Sequence, residues 1–368
     1  MRHVATRVFS IAGGVLAIVG VTSLVAVALP ATPPQATASH RSAESWQKQP
    51  GSARAKPIQA VDSVTITVAD LDRSIAFFQD VLEFSLDSRS EAAGEAMEHL
   101  TGVFGCRILT ARLSLGTEHV ELRQFLAPEG QPMPVDSRSN DRWFQHIAIV
   151  VSDMDRAYAH LREHKVRHAS SGPQTLPQSI PAAAGISAFY FKDPDGHVLE
   201  IIHFPPGKGD PRWQASTDRL FLGIDHTAIV VKDTDASLSF YHGVLGMRIA
   251  GASENFGTEQ EHLNNVFGAR LRITGLRAES GPGIELLEYL APAGGRDYPT
   301  GTQSNDLWCW QTNIIGPHVH ELSASLREHG TAWISPGVVS LGADDSAIAV
   351  QDRDGHAIRV MERAGSPR

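Results

Sequence analysis

The sequence predicts an α+β fold built from four βαβββ modules, and two observations carry that prediction. The first is an internal repeat: Glu98-His99-Leu100 with Val103-Phe104-Gly105 returns 163 positions later as Glu261-His262-Leu263 with Val266-Phe267-Gly268. Val120-Glu121-Leu122 followed by Leu126-Ala127-Pro128 returns as Ile284-Glu285-Leu286 followed by Leu290-Ala291-Pro292, and Ser139-Asn140-Asp141 returns as Ser304-Asn305-Asp306. A unit of this length exceeds solenoid repeats and means two homologous domains. The second observation is a further division of each repeat. Asp62-Ser63-Val64-Thr65-Ile66-Thr67-Val68, Gln145-His146-Ile147-Ala148-Ile149-Val150-Val151, Asp225-His226-Thr227-Ala228-Ile229-Val230-Val231 and Trp310-Gln311-Thr312-Asn313-Ile314-Ile315 share one opening. All four read as buried, β-branched strands, each followed by an amphipathic helix and then by more strands.

The helices carry their own punctuation. Asp233 caps the one in the second repeat, Leu238, Tyr241 and Leu245 fall at helical spacing for burial, and Gly246 stops it. Asp70, Ile75, Phe78 and Leu82 repeat the plan in the first. Asp193-Pro194-Asp195-Gly196-His197 and Asp352-Arg353-Asp354-Gly355-His356 place Asp-Gly at tight connections, with strands following from Val198 to Phe204 and from Ala357 to Met361. His197 and His356, just past these turns, are expected to be solvated. Trp143, Trp308 and Trp310 introduce the strands of the second and fourth modules and are expected in the core.

Ahead of the repeats, Arg2 and Arg7 precede an uncharged, mostly apolar run from Val8 to Leu29, after which Ala36-Thr37-Ala38 offers a cleavage site. Residues 1–38 therefore read as a secretory signal, and the run is also long enough to attach the chain to a membrane as an uncleaved anchor. The polar, Pro- and Gly-bearing segment 39–57 reads as a tether. The domains follow at 58–206 and 221–363, with a linker at 207–220. An exported, cell-envelope location is expected.

The formal charge is −9, and −11 once cleavage removes Arg2 and Arg7, which argues against nucleic acid as a partner. The two cysteines, Cys106 and Cys309, fall at non-equivalent places in the repeat and read as small buried hydrophobes, not a disulfide framework. Oligomeric state is left open.

These residues resemble the vicinal oxygen chelate superfamily, which includes glyoxalase I, extradiol dioxygenases, methylmalonyl-CoA epimerase, and fosfomycin and bleomycin resistance proteins. The resemblance covers nearly everything from Ile58 to Arg363. It is closest at His226-Thr227-Ala228-Ile229-Val230-Val231, Ser237, Phe240-Tyr241 and Leu245-Gly246-Met247, which fit the first glyoxalase I signature. Around His146 the second signature fits only in part, with Phe144-Gln145 where the family prefers small residues or histidine. The resemblance implies glyoxalase-like half-barrels, each made by two modules. A metal would be held by the first and last strand of each module.

Carried over position by position, the first module offers Ser63 and Glu121, the second His146 and Glu200, the third His226 and Glu285, and the fourth Gln311 and Arg359. Strand alternation puts His146, Ala148 and Val150 on one face, and likewise Glu200 with Ile202 and Glu285 with Leu287. If modules pair within each repeat, both cavities are partly degraded. If the second pairs with the third and the first with the fourth, as in domain-exchanged members, one cavity collects His146, Glu200, His226 and Glu285. The other would keep Ser63, Glu121, Gln311 and Arg359, where a guanidinium opposite Glu121 replaces a metal with an ion pair. The second pairing is the simpler account.

Two imidazoles with two carboxylates suit one divalent ion, such as Zn, Ni, Fe, Co or Mn. In glyoxalase-like members a metal-bound glutamate also serves as the base, which makes Glu200 and Glu285 the candidate catalytic residues. The leading expectation is a metal-dependent lyase or isomerase acting on a small-molecule substrate through a stabilised enediolate. An Fe(II) ring-cleaving dioxygenase and a binding protein for a toxin or antibiotic are the alternatives. Export weakens the case for glutathione or CoA substrates, which are chiefly cytoplasmic. His99 and His262 sit in segments expected over a cavity mouth, as substrate contacts or as caps. Phe104 and Phe267 are expected to pack the repeated loop against its own domain, or else to wall the pocket.

Overall fold

The computed structural model describes residues 58–342 and 345–363. The signal or anchor at 1–38, its apolar run from Val8 to Leu29 and the tether at 39–57 lie outside the described residues. Among the described residues, no helix is long and apolar enough to cross a membrane.

The first module runs β1 (Ala60–Thr67), β2 (Ser85–Ala93), β3 (Arg107–Leu115) and β4 (Glu118–Ala127), and the second β5 (Gln145–Val151), β6 (Arg167–His168), β7 (Gln174–Thr175), β8 (Ser187–Lys192) and β9 (Val198–His203). The third is β10 (Phe221–Val231), β11 (Arg248–Phe256), β12 (Arg270–Arg277) and β13 (Gly283–Ala291). The fourth is β14 (Trp310–Ile315), β15 (Ala332–Trp333), β16 (Val339–Gly342), β17 (Asp345–Gln351) and β18 (Ala357–Glu362). After the first strand of each module comes a helix: Leu71–Asp80, Met154–Glu163, Thr234–Tyr241 and Val319–Glu328. The aspartate caps form as read: Asp70 accepts from Arg73 N, and Asp233 from Ala236 N. In the second and fourth modules the expected second strand is broken into two short pieces. Gly172-Pro173 and Pro336-Gly337 interrupt it, since proline lacks the ladder donor and glycine favours a turn.

The strands form two nine-stranded sheets, and the modules are exchanged between them. One sheet runs β15-β17-β18-β14-β1-β4-β3-β2, joining the first and fourth modules, and the other runs β11-β12-β13-β10-β5-β9-β8-β6, joining the second and third. Antiparallel seams hold each sheet together, β1 against β14 and β10 against β5. The two largest apolar cores are not exchanged, although smaller clusters span the exchanged modules. One gathers Val64, Ile66, Phe78, Ile147, Ile149 and Phe189, almost entirely from the first repeat. The other gathers Ile229, Leu238, Tyr241, Ile314, Leu326 and Ile348 from the second. The helix after each module's first strand thus packs within its own repeat, whereas the short helices Glu95–Thr101 and Thr258–Asn264 pack across repeats, on β16–β17 and β7–β8.

Straps between modules tie the exchange down. Gln131 N donates to Asp306 Oδ1 at 2.8 Å and Leu307 N to Gln131 O at 2.9 Å, while in the other half Arg296 Nη2 donates to Asp141 Oδ2 at 2.7 Å and Arg142 N to Arg296 O at 2.8 Å. His197 and His356 belong to this lock, which corrects the expectation that they are solvated. Both are buried, at 0% and 2% exposure. Each imidazole is held by the turn aspartate (His197 Nδ1 to Asp193 Oδ2, 2.7 Å; His356 Nδ1 to Asp352 Oδ2, 2.9 Å) and reaches a carbonyl of the opposite strap, Leu307 O at 2.6 Å and Arg142 O at 2.9 Å. Trp143, Trp308 and Trp310 are buried beside them, as expected.

Gly130 marks the closest crossing: a Cβ there would lie 1.8 Å from Asn305 O, and Gly295 repeats the approach on Asn140 O at 1.7 Å. Gly130→Ala is expected to cost ~1–3 kcal/mol by overpacking. Urea unfolding measures it, and an unchanged midpoint would rule out the close approach.

Candidate metal centre

The seam between β5 and β10 sets the site. His146 pairs with Ala228 and His226 with Ala148, so the two imidazoles stand either side of a local two-fold, their ring centroids 5.9 Å apart. The parallel neighbours complete the lattice, with Glu200 opposite Ala148 on β9 and Glu285 opposite Ala228 on β13. Alanine at 148 and 228 leaves the space between the four longer side chains open.

Within that space ligand atoms of His146, Glu200 and His226 lie within 4.8 Å of one another. Glu200 Oε2 is 3.0 Å from His146 Nε2 and 3.7 Å from His226 Nε2, and Glu285 Oε2 is 3.3 Å from His226 Nε2. Glu200 is wedged between the imidazoles with its side chain 5% exposed, whereas the Glu285 side chain is 30% exposed. Both glutamates and His226 line a cavity of about 330 Å³, walled by Tyr190, Leu271 and Leu287 and edged by Asn255 and Gln260.

The His226 ring is oriented from behind. Its Nδ1 donates to Asp225 Oδ2 at 3.0 Å, which turns Nε2 toward the carboxylates. Asp225 in turn receives Arg277 Nη2 at 3.0 and 2.9 Å and Trp213 Nε1 at 3.1 Å. Burial raises the Asp225 carboxyl, but the His226 and Arg277 partners outweigh it and hold the group well below the usual range. Burial lowers His226, yet Glu285, Asp225 and Glu200 more than offset it and raise the imidazole to about 9.

Sequence reasoning passed over Asp225 because simple alternation points it away from His226. A register shift in β10 between Ile224 and His226 turns the two side chains together. Trp213, in the segment read as a plain linker, sits in a short 3₁₀ turn, Pro211–Gln214.

The quartet fits a divalent cation. His146 is 1% exposed, Nδ1 has no partner among the described residues, and Nε2 has only the Glu200 carboxylate, 3.0 Å away without hydrogen-bond geometry. An imidazole buried that way is costly unless a Lewis acid takes its lone pair. Asp193, Asp195 and His197 also come within 4.8 Å of one another, but their atoms are committed to the turn, to the strap and to Arg73.

The other sheet repeats the lattice with different side chains. Ser63 and Gln311 stand where His226 and His146 do, and Thr65 and Asn313 replace the two alanines. Asn313 Nδ2 donates to Thr65 Oγ1 at 2.8 Å, Ser63 Oγ at 2.9 Å and Glu121 Oε2 at 3.3 Å, so polar tips fill the central space. Arg359 Nη2 meets Glu121 Oε2 at 3.0 Å, and Arg112 approaches the same carboxylate at 3.4 Å. Burial raises Glu121, but Arg359, Arg123 and Thr65 outweigh it and leave the carboxyl lowered.

His262 lies outside the cavity and meets Ser171 Oγ at 2.8 Å, on the short helix Thr258–Asn264 whose Gln260 and Leu263 form the wall. Phe104 and Phe267 depart from both expectations. They are 89% and 93% exposed, because Gly105 and Gly268, at φ +67° and +71°, turn each loop outward. Cys106 and Cys309 are free thiols.

Two sheets of paired modules, one of them holding a histidine–glutamate cluster, define a vicinal oxygen chelate protein, and comparison with known proteins agrees. Residues 60–201 and 223–360 each match the Glyoxalase/Bleomycin resistance protein/Dioxygenase superfamily, and the chain belongs to it. A 2-epi-5-epi-valiolone epimerase from Actinomyces sp is 33% identical over 154 residues, covering 40% of this chain and 81% of its own. Glyoxalase I of Saccharomyces cerevisiae is 30% identical over 114 residues, covering 31% of each chain. The crystal structure of glyoxalase I from Zea mays shares the fold with a TM-score of 0.54 at 16% identity, covering 83% of this chain and 92% of its own.

Proposed function

We propose that the chain is a metal-dependent enzyme of glyoxalase type, a lyase or isomerase that moves a proton on the carbon beside a substrate carbonyl. The observation that carries this reading is the convergence of His146, Glu200, His226 and Glu285, the last three of which line the cavity. When bound there, a divalent cation supplies Lewis-acid polarisation of the carbonyl and stabilises an enediolate. His146 and His226 would be the nitrogen donors, the second oriented by Asp225 and giving up its Nε2 proton when the cation binds. Glu200, fixed between the rings, is the constant carboxylate. Glu285 is the base: its carboxylate faces the cavity and touches one imidazole only, so it has freedom to take the proton at Oε2 and return it to a neighbouring carbon. The epimerase and glyoxalase I relatives support this class of chemistry, and an exported, cell-envelope location remains part of the reading.

Solvent-deuterium incorporation into small α-hydroxyketones by the metal-loaded protein tests the reading. Glu285→Gln is expected to slow it by ~10²–10⁴-fold with metal content unchanged. Retained exchange in both Glu285→Gln and Glu200→Gln would remove the base. A second reading, an Fe(II) dioxygenase, draws on the tight triad of His146, Glu200 and His226, a two-histidine, one-carboxylate set. Oxygen uptake with a catechol, and no deuterium exchange, would favour it.

A further inference from the structure

We propose that the other sheet holds a second binding site, for an oxyanion, built on Arg123. Two residues beyond Glu121 on β4, Arg123 points to the same face, and it is only 3% exposed. Glu121 is already committed to Arg359 and Arg112. No carboxylate lies within 4.0 Å of the Arg123 guanidinium among the described residues. Its Nε has no partner, and its Nη1 makes one long contact, 3.4 Å to Gln311 Oε1. Burial first, then the neighbouring Arg359 charge, lower its pKa to about 10 against a partial offset from Glu121, which leaves it charged at neutral pH.

Arg123 lines a cavity of about 300 Å³ together with Thr101, Gln303, Ser304, Gln311 and Gln351. Among the described residues, no acidic side chain lines that cavity. The repeat shows that the charge is not needed for packing, since Leu287 holds the equivalent position beside Glu285. A desolvated guanidinium with no carboxylate in direct contact is costly. A carboxylate or phosphate group entering the cavity cancels that cost through paired N–H donors on one planar fork. The two halves therefore offer opposite chemistry: four ligand groups that suit a cation in one, and a buried guanidinium with no contacting carboxylate in the other.

Titration calorimetry of the full chain with sodium orthophosphate and with sodium acetate, in chloride buffers of matched ionic strength, tests the proposal. Saturable heat with either anion is expected, weakened at least about tenfold in Arg123→Leu. Tighter phosphate assigns a phosphate ligand, and tighter acetate a carboxylate. Without added anion, Arg123→Leu should melt no lower than the parent chain, because leucine takes the place it has in the other repeat. Arg123→Gln serves as a second variant should the leucine chain fold poorly. Absence of saturable heat with both anions, or equal heat in the variants, overturns the site. Neither result bears on the histidine–glutamate centre, whose metal content is measured separately.

Discussion

His146→Ala should leave the purified protein with less than one tenth of the metal of the parent chain, which should carry one divalent ion per molecule by elemental analysis. His146 is buried and its ring nitrogens make no hydrogen bond among the described residues, so nothing in the described structure can replace it on the ion. Losing a partner that merely orients a ligand weakens metal affinity about 10–100-fold, and losing the ligand itself should exceed that. The stability effect should be modest by comparison, since the alanine resembles Ala148 two residues along the same strand. A variant that retains the ion in full would place it elsewhere and end the proposed chemistry. A parent chain free of metal after gentle purification would favour a binding protein instead.

Arg359→Met should destabilise the fold by about 3 kcal/mol or more, because it strands the buried Glu121 carboxylate. The pair is 13% and 12% exposed, and Arg112 retains a 3.4 Å contact, which together keep the cost at the low end of the range for broken buried pairs. Replacing both partners, Glu121→Leu with Arg359→Met, should recover most of the loss by leaving no charge behind. The pH dependence follows from the lowered Glu121 carboxyl. A folded pKa below the unfolded value of 4.5 contributes stability above that pH and loses it as the pH falls further. The parent chain should therefore weaken in acid more steeply than the double variant. Urea midpoints across pH measure both effects, and equal midpoints for single and double variants would show that the pair is not coupled.

Much of this was legible in the sequence because duplication supplied an internal control. His146 and His226 stood at equivalent strand positions, and period-two alternation carried Glu200 and Glu285 to the same face. The same reasoning placed Arg359 opposite Glu121, though only under one of two pairings. The choice between pairings was illegible, since a strand's hydrophobic pattern does not name its neighbour across a seam. Asp225 was hidden by a bulge, which breaks alternation at one residue. His197 and His356 were misjudged because a histidine after a tight turn reads as exposed when the strap that covers it is distant in sequence. Arg123 lies two residues past Glu121 on the same strand face, and alternation alone does not mark it as a site. Its cavity depends on Gln303 and Ser304, which lie about 180 residues away.

Separate cores with shared sheets have a consequence for ancestry. A protein of one repeat would own its longer helices' apolar packing but no finished hollow, and could obtain one only by embracing a second copy. Such a pair would carry two identical hollows. Joining the copies into one polypeptide released them from identity, so that substitutions such as Ser63 and Gln311 could accumulate in one hollow without touching the histidines of the other.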